Sequence, residues 1–321
     1  MLQGVGAYFM EKWKYKAKIM HYAGIKPVDK LYYLYQKHIS KSLTHSSENF
    51  LALWQWKVLN HLVKIIKYGK VPVDSAVFYE YGAGWDLLAP FGFSIITRDS
   101  GKFQYICVDL NKFMHKELVY GTVHYYNILA DAMNKKLQDN NMPFRIRSTH
   151  IDTDINIIKY LLLHNIVYKA PYDARQTDIE SGSVDYIITN TVLHQIPIED
   201  VKSILKECYR ILKCGGIYSL NVSYMDMYTN FDKKITVYNY LKFSNEEWKQ
   251  YSPPLHYQNR MRHCDYVKIF QDCGFEIIEE IPAPILESDI EIIKNMKIAN
   301  CFRNYSLEDL AIKRADFVLR K

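Results

Sequence analysis

The sequence predicts an open α/β fold built on a mostly parallel sheet. Three observations carry that prediction. From residue 75 onward, short apolar runs alternate with helical patterns, the order expected of strands joined by crossover helices. The first run, Val77-Phe78-Tyr79-Glu80-Tyr81, ends in Gly82-Ala83-Gly84, a tight turn where missing Cβ atoms let a ligand approach the backbone. The second, Tyr105-Ile106-Cys107-Val108-Asp109, ends in an acid about 25 residues after the turn. Open α/β sheets bind ligands at the carboxyl ends of their strands, where Glu80 and Asp109 would stand. An acid there can accept hydrogen bonds from both hydroxyls of a ribose.

Each element has its own local reason. Residues 1–72 read as a helical cap without strands. Lys12 to Lys16 opens a charged amphipathic stretch, Lys26-Pro27 breaks it, and Leu31 to Ile39 resumes it. Ser46 or Ser47 caps the next helix, with Glu48 in its first turn. Leu51, Trp54, Val58, Leu62 and Ile65 form its apolar stripe, leaving Lys57, His61 and Lys64 off it. The main domain spans 73–321. Its strands are expected at 76–81, 104–109, 165–169, 183–190, 217–222, 275–281 and 315–319. Asp86 to Phe93 begins the first crossover helix, where Pro90 fits only the first turns. Further helical patterns run through 111–140 and around 154–164. The helix from Ile198 ends at Leu212, stopped by Gly215-Gly216, and another covers 264–272 before Gly274. Residues 223–262 form an irregular aromatic and polar insert after strand five.

Composition narrows the function. A chain of 321 residues with 49% hydrophobic and 24% charged residues is globular. No apolar run reaches a membrane span, and lysines interrupt the N-terminus too often for a signal-peptide core. Six scattered cysteines without a CxxC pair fit reduced thiols of a cytoplasmic protein. Without HxxxH, clustered Cys/His or paired acids, no metal is expected. Net charge is +6, concentrated in residues 1–70, where twelve lysines face three acids. Such a segment suits solvated helix faces, which we favour, or peripheral contact with a membrane surface or polyanion.

Glu80-Tyr81-Gly82-Ala83-Gly84, Val108-Asp109, Asp173-Ala174, Ser183 to Ile188 and Leu212 to Gly216 occur in an order and spacing that resembles class I S-adenosylmethionine-dependent methyltransferases. The resemblance covers about 75–285 plus the closing strand. It implies a Rossmann-like, doubly wound, seven-stranded sheet with an antiparallel last strand. Gly82-Ala83-Gly84-Trp85 with Pro90, and Asn259 to Arg262 before Asp265-Tyr266, look like a bacterial subgroup that modifies surface polysaccharides and sugars. The resemblance implies S-adenosylmethionine as cofactor and S-adenosylhomocysteine as product. Gly82, Gly84 and Trp85 would pack on its amino-acid and ribose parts, and Glu80 would meet the ammonium. Asp109 would take the ribose hydroxyls, Asp173 and Ala174 the adenine, and Asn190 the methionine moiety. The chain departs from the pattern twice. Asp86 or Leu87 stands where a third glycine is usual, and Leu193-His194-Gln195-Ile196 replaces the usual Leu-(Glu/Gln)-His-(Ile/Val).

Methyl transfer is an in-line displacement, so the protein must position the acceptor and, for a hydroxyl, supply a base. The acceptor is expected beyond strands four and five, with residues 223–262 as lid. Candidate bases are Asp226, His256 and His263. Tyr224, Tyr257, Asn259, Arg260, Arg262 and His194 are candidate substrate contacts: aromatics stack on sugars, and the arginines could hold a phosphate or carboxylate. The acceptor is a sugar or other small hydroxylated molecule, including phosphorylated or lipid-linked ones. An RNA methyltransferase and a non-catalytic cofactor-binding scaffold are the alternatives. A slightly acidic core argues against nucleic acid, and the intact turn and Asp109 argue against the scaffold. A nicotinamide oxidoreductase does not fit, because Leu87 breaks GxGxxG.

Overall fold

The computed structural model describes residues 11–23, 45–97 and 102–321. The break expected at Lys26-Pro27 and the helical pattern from Leu31 to Ile39 fall outside them. Seven strands form one sheet: β1 Val77–Tyr81, β2 Gln104–Val108, β3 Ile166–Lys169, β4 Val184–Asn190, β5 Leu212–Ser223, β6 Glu276–Pro282 and β7 Arg314–Arg320. Their order is β3-β2-β1-β4-β5-β7-β6. β1 pairs in parallel with both β2 and β4, while β7 runs antiparallel between β5 and β6. This is the expected doubly wound, Rossmann-like methyltransferase fold. The strand order reverses between β1 and β4, and a crevice opens at such a switch point.

Alternation along each strand divides the core in two. Phe78, Tyr186 and Ile188 face a cluster with Trp54, Leu62, Phe91 and Val123, supplied by helices Ser47–Trp54, Asn60–Tyr68, Leu88–Ile96 and Lys116–Ile128. Tyr79, Tyr81 and Ile187 face the opposite cluster, with Leu205 and Phe270 from helices Ile198–Ile211 and His263–Asp272. The continuous burial of β4 up to Thr189 reflects this double cover.

Three expectations need correction. The crossover helix starts at Leu88 rather than Asp86. β5 begins at Leu212, directly after the helix, because Leu212 already pairs with Val184; Gly215, at φ 77°, bends the strand instead of ending a helix. Lys57, His61 and Lys64 do not form a solvated face. His61 is fully buried and Lys64 nearly so, because helix Asn60–Tyr68 lies against β5 on the side away from its apolar stripe.

The segment between β6 and β7 gave no sequence signal. It carries helices Glu287–Lys294 and Leu307–Ala311, whose Ile293 and Leu310 join Tyr228, Tyr238, Tyr240 and Trp248 of the insert in a third core. The first helix, Lys12–Ala23, docks on it through Trp13 and Ala17, four residues apart on one helical face. Trp13 contacts the rings of Tyr228 and Tyr251. Among the described residues no helix is long and apolar enough to cross a membrane.

Candidate active site

The glycine turn follows β1 directly. Gly82 and Gly84 adopt φ of 70° and 75°, and the amides of Gly82 and Ala83 donate to the Val108 carbonyl at 2.9 and 3.2 Å. A Cβ on Gly82 would fall 2.6 Å from Val192, whereas one on Gly84 would meet nothing. Gly82 is therefore fixed by both conformation and space, Gly84 by conformation alone. Where a third glycine is usual, Leu87 itself adopts φ 51°. That conformation costs a leucine roughly 1–3 kcal/mol, and complete burial of its side chain offsets the cost.

A cleft of about 570 Å3 opens beside the turn, lined by Gly82, Asp109, Tyr172, Asp173, Ala174 and Tyr257 among others. Asp109 stands just past β2. Its carboxylate accepts from the Gly84 amide at 3.2 Å and the Asn111 amide at 3.1 Å, which aims it along the turn. Burial raises its pKa, against these amide bonds. Asp173 also lines the cleft, but its carboxylate is held by Arg175, which bridges to Asp200 at 2.7 Å. Arg175 draws the Asp173 pKa down. Trp85 stacks on Phe113 and His115 at 4.7 and 5.6 Å between ring centres.

Behind the turn lies a buried polar chain. Tyr105 donates to Glu80 at 2.9 Å, Asn190 contacts Glu80 at 3.5 Å, and His61 bridges Asn190 at 3.0 Å and Ser219 at 2.7 Å. Burial pushes the Glu80 pKa up to about 7, opposed by the Tyr105 bond and the charge of Lys57. Burial also drives His61 down to about 3, so its ring is neutral. Tyr105, His61 and Arg175 were missed by sequence reasoning. The spacing of Lys57, His61 and Lys64 was the available signal: polar groups at helical intervals can line a site as well as meet water.

The insert places its polar residues differently, and several expectations fall. Arg262 is fully buried, and its guanidinium donates to the carbonyls of Tyr224, Asp309, Leu310 and Ile312. Arg260 donates to the carbonyls of Tyr240 and Phe243 and to Asn245, with its guanidinium over Trp248 and Phe302. Both guanidiniums thus bond mainly to groups of the protein itself, although Arg262 Nε is buried without a partner. His263 is held between Glu280 at 2.7 Å and Tyr224 at 3.1 Å, so neither residue faces the cleft. Asp226, fully buried, accepts from the Tyr228 amide and Asn239. Asn259 ties to the carbonyls of Leu193 and Ile196. Two histidines are left with an open ring nitrogen. His194 Nδ1 and His256 Nε2 are buried without a hydrogen-bond partner. Burial lowers the His194 pKa to about 4; burial, with Lys16 and His194 nearby, lowers that of His256 to about 3.

The family model for a methyltransferase domain matches residues 135–220, from within helix Ala130–Asp139 through most of β5. No curated protein matches the sequence. Among solved structures, a chain from the complex of the Haloferax volcanii Trm112 methyltransferase activator with a methyltransferase is similar at 15% identity, covering 83% of this chain and 89% of that one, with a TM-score of 0.43. An S-adenosylmethionine-dependent methyltransferase from Mesorhizobium loti shares 14% identity over 81% and 96% of the two chains, TM-score 0.41. The [4+2]-cyclase SpnF shares 11% over 81% and 80%, TM-score 0.40. Residues 135–220 are thus similar to a methyltransferase domain, and the strand order around them and the glycine turn with Asp109 at the switch point fit S-adenosylmethionine as the methyl donor.

Proposed function

We propose that the enzyme methylates a hydroxyl of a sugar or similar small molecule held beyond the end of β4, beside His194 and His256. The cofactor supplies an activated methyl group. Its site is the cleft: Asp109 takes the ribose hydroxyls, Gly82 to Trp85 pack on the ribose and amino-acid parts, and Ala174 offers its amide to the adenine. Asp173 meets the adenine amino group with Arg175 still attached, since a carboxylate has lone pairs for both. Glu80 pairs with the methionine ammonium, and Asn190 borders the methionine chain. Residues 1–72 act as a cap, and the insert 223–262 as a lid carrying His256.

The observation behind the acceptor reading is the pair of unpartnered, neutral imidazoles. Such a group leaves one nitrogen lone pair or N–H uncompensated in the interior, a cost that a bound hydroxyl relieves. As the oxygen gains a methyl group it becomes strongly acidic, so even an imidazole of depressed pKa takes its proton. The arginines that would suit a phosphate are engaged elsewhere, which favours an uncharged hydroxylated acceptor. His256→Ala is expected to lower turnover about 100-fold or more, the usual worth of a general base, with S-adenosylhomocysteine affinity nearly unchanged. The readout is the gain of one methyl mass in a glycan pool. Unchanged turnover in both His256→Ala and His194→Ala would remove the imidazole pair from the reaction.

A further inference from the structure

We infer that Lys57 binds the carboxylate of the cofactor's methionine, making the N-terminal helical region one wall of the cofactor site. The inference rests on the cofactor placement proposed above. Lys57 sits at the centre of a π-helical turn, Gln55–Leu59, between helices Ser47–Trp54 and Asn60–Tyr68. Single π turns inside α-helices cluster at functional sites, because the extra residue re-aims the side chains of the next turn. Here the part before the turn packs on helix Leu88–Ile96, and the part after it packs on β5. One turn beyond Lys57, His61 reaches Asn190 at the end of β4. Lys57 therefore projects toward the same strand ends, on the Glu80 side of the sheet.

Two acids feel its charge, Glu80 and Asp86. Asp86 is already paired with His45 at 3.3 Å, and Glu80 with Tyr105 and Asn190. Among the described residues, no carboxylate comes within ion-pairing distance of Lys57 itself. A half-buried ammonium near the methionine end of the site, with its valences open, complements the one cofactor group that lacks a partner. Glu80 serves the ammonium; Lys57 serves the carboxylate.

Calorimetry with three ligands tests this: S-adenosylhomocysteine, which carries the carboxylate, its decarboxylated analogue, and 5′-methylthioadenosine, which lacks the whole amino-acid end. Lys57→Ala is expected to weaken S-adenosylhomocysteine about tenfold or more, and 5′-methylthioadenosine less than about twofold. The decarboxylated analogue of S-adenosylhomocysteine should bind wild type and variant alike, and Lys57→Arg should retain most affinity. An unchanged S-adenosylhomocysteine affinity in Lys57→Ala overturns the inference, as does an equal loss for all three ligands. If wild type binds none of them, the cofactor placement itself fails.

Discussion

The cleft and the insert contain the same kinds of residue and treat them in opposite ways. In the insert and at its end, Arg260, Arg262, His263 and Asp226 are surrounded by carbonyls and polar groups of their own chain, and most of their bonds are made. Around the cleft, Glu80, buried behind the glycine turn, is pushed toward neutrality by burial, and Asp109 faces open space beside the turn. A buried arginine that donates to four carbonyls stitches a loop-rich core together; a buried acid with a lone pair to spare awaits a ligand. Residue type does not separate these roles. The direction of the remaining donors and acceptors does.

Removing Arg262 should sharpen the contrast most. Arg262→Met leaves four backbone carbonyls without their donor, and we expect a loss of about 3 kcal/mol or more in thermal or denaturant unfolding. Cofactor affinity of the folded fraction should stay within about twofold. A stable Arg262 variant with lost ligand binding would break the comparison. Asp109→Ala should do the reverse: unfolding close to wild type, but roughly 100-fold weaker S-adenosylhomocysteine binding, from two lost hydrogen bonds to a charged group. A normal ligand-induced melting shift in this variant would count against the ribose role.

The smallest effect is in pH. Burial raises the folded-state pKa of Glu80 from its ordinary 4.5 to about 7. Folding thus takes up a proton between those values, and the unliganded protein loses stability as pH rises from 4.5 toward 7. An ammonium ligand needs the ionised form, so S-adenosylhomocysteine affinity should rise roughly tenfold between pH 6 and 8. Glu80→Gln should flatten that profile; an unaltered slope would assign the titration to another group.

Much of the cofactor end is legible in the residues alone. An apolar run ending in Gly82-Ala83-Gly84, then Asp109 at the end of the next run, describes strand ends by local rules: periodicity, turn chemistry and chain distance. The structure adds that Val192 closes over Gly82 and that Leu87 takes the left-handed conformation a glycine would adopt without strain. The acceptor end is not legible in this way, since Arg260, Arg262 and His263 look alike whether they face a sugar or a carbonyl. The third core depends on residues 287–312 and on Trp13, far apart in the chain, and no short-range pattern announces such contacts.

The sequence by itself determined the strands, their order of use and the two carboxylates at their ends, because period-two burial and glycine turns are written over a few residues. Only the tertiary structure decided which polar groups were left open. That depends on long-range neighbours: β5 and β4 meeting His61, the β6–β7 segment meeting Arg262, and a single π turn aiming Lys57. Hydrogen-bond capacity is a property of each residue, but whether it is filled is a property of the fold.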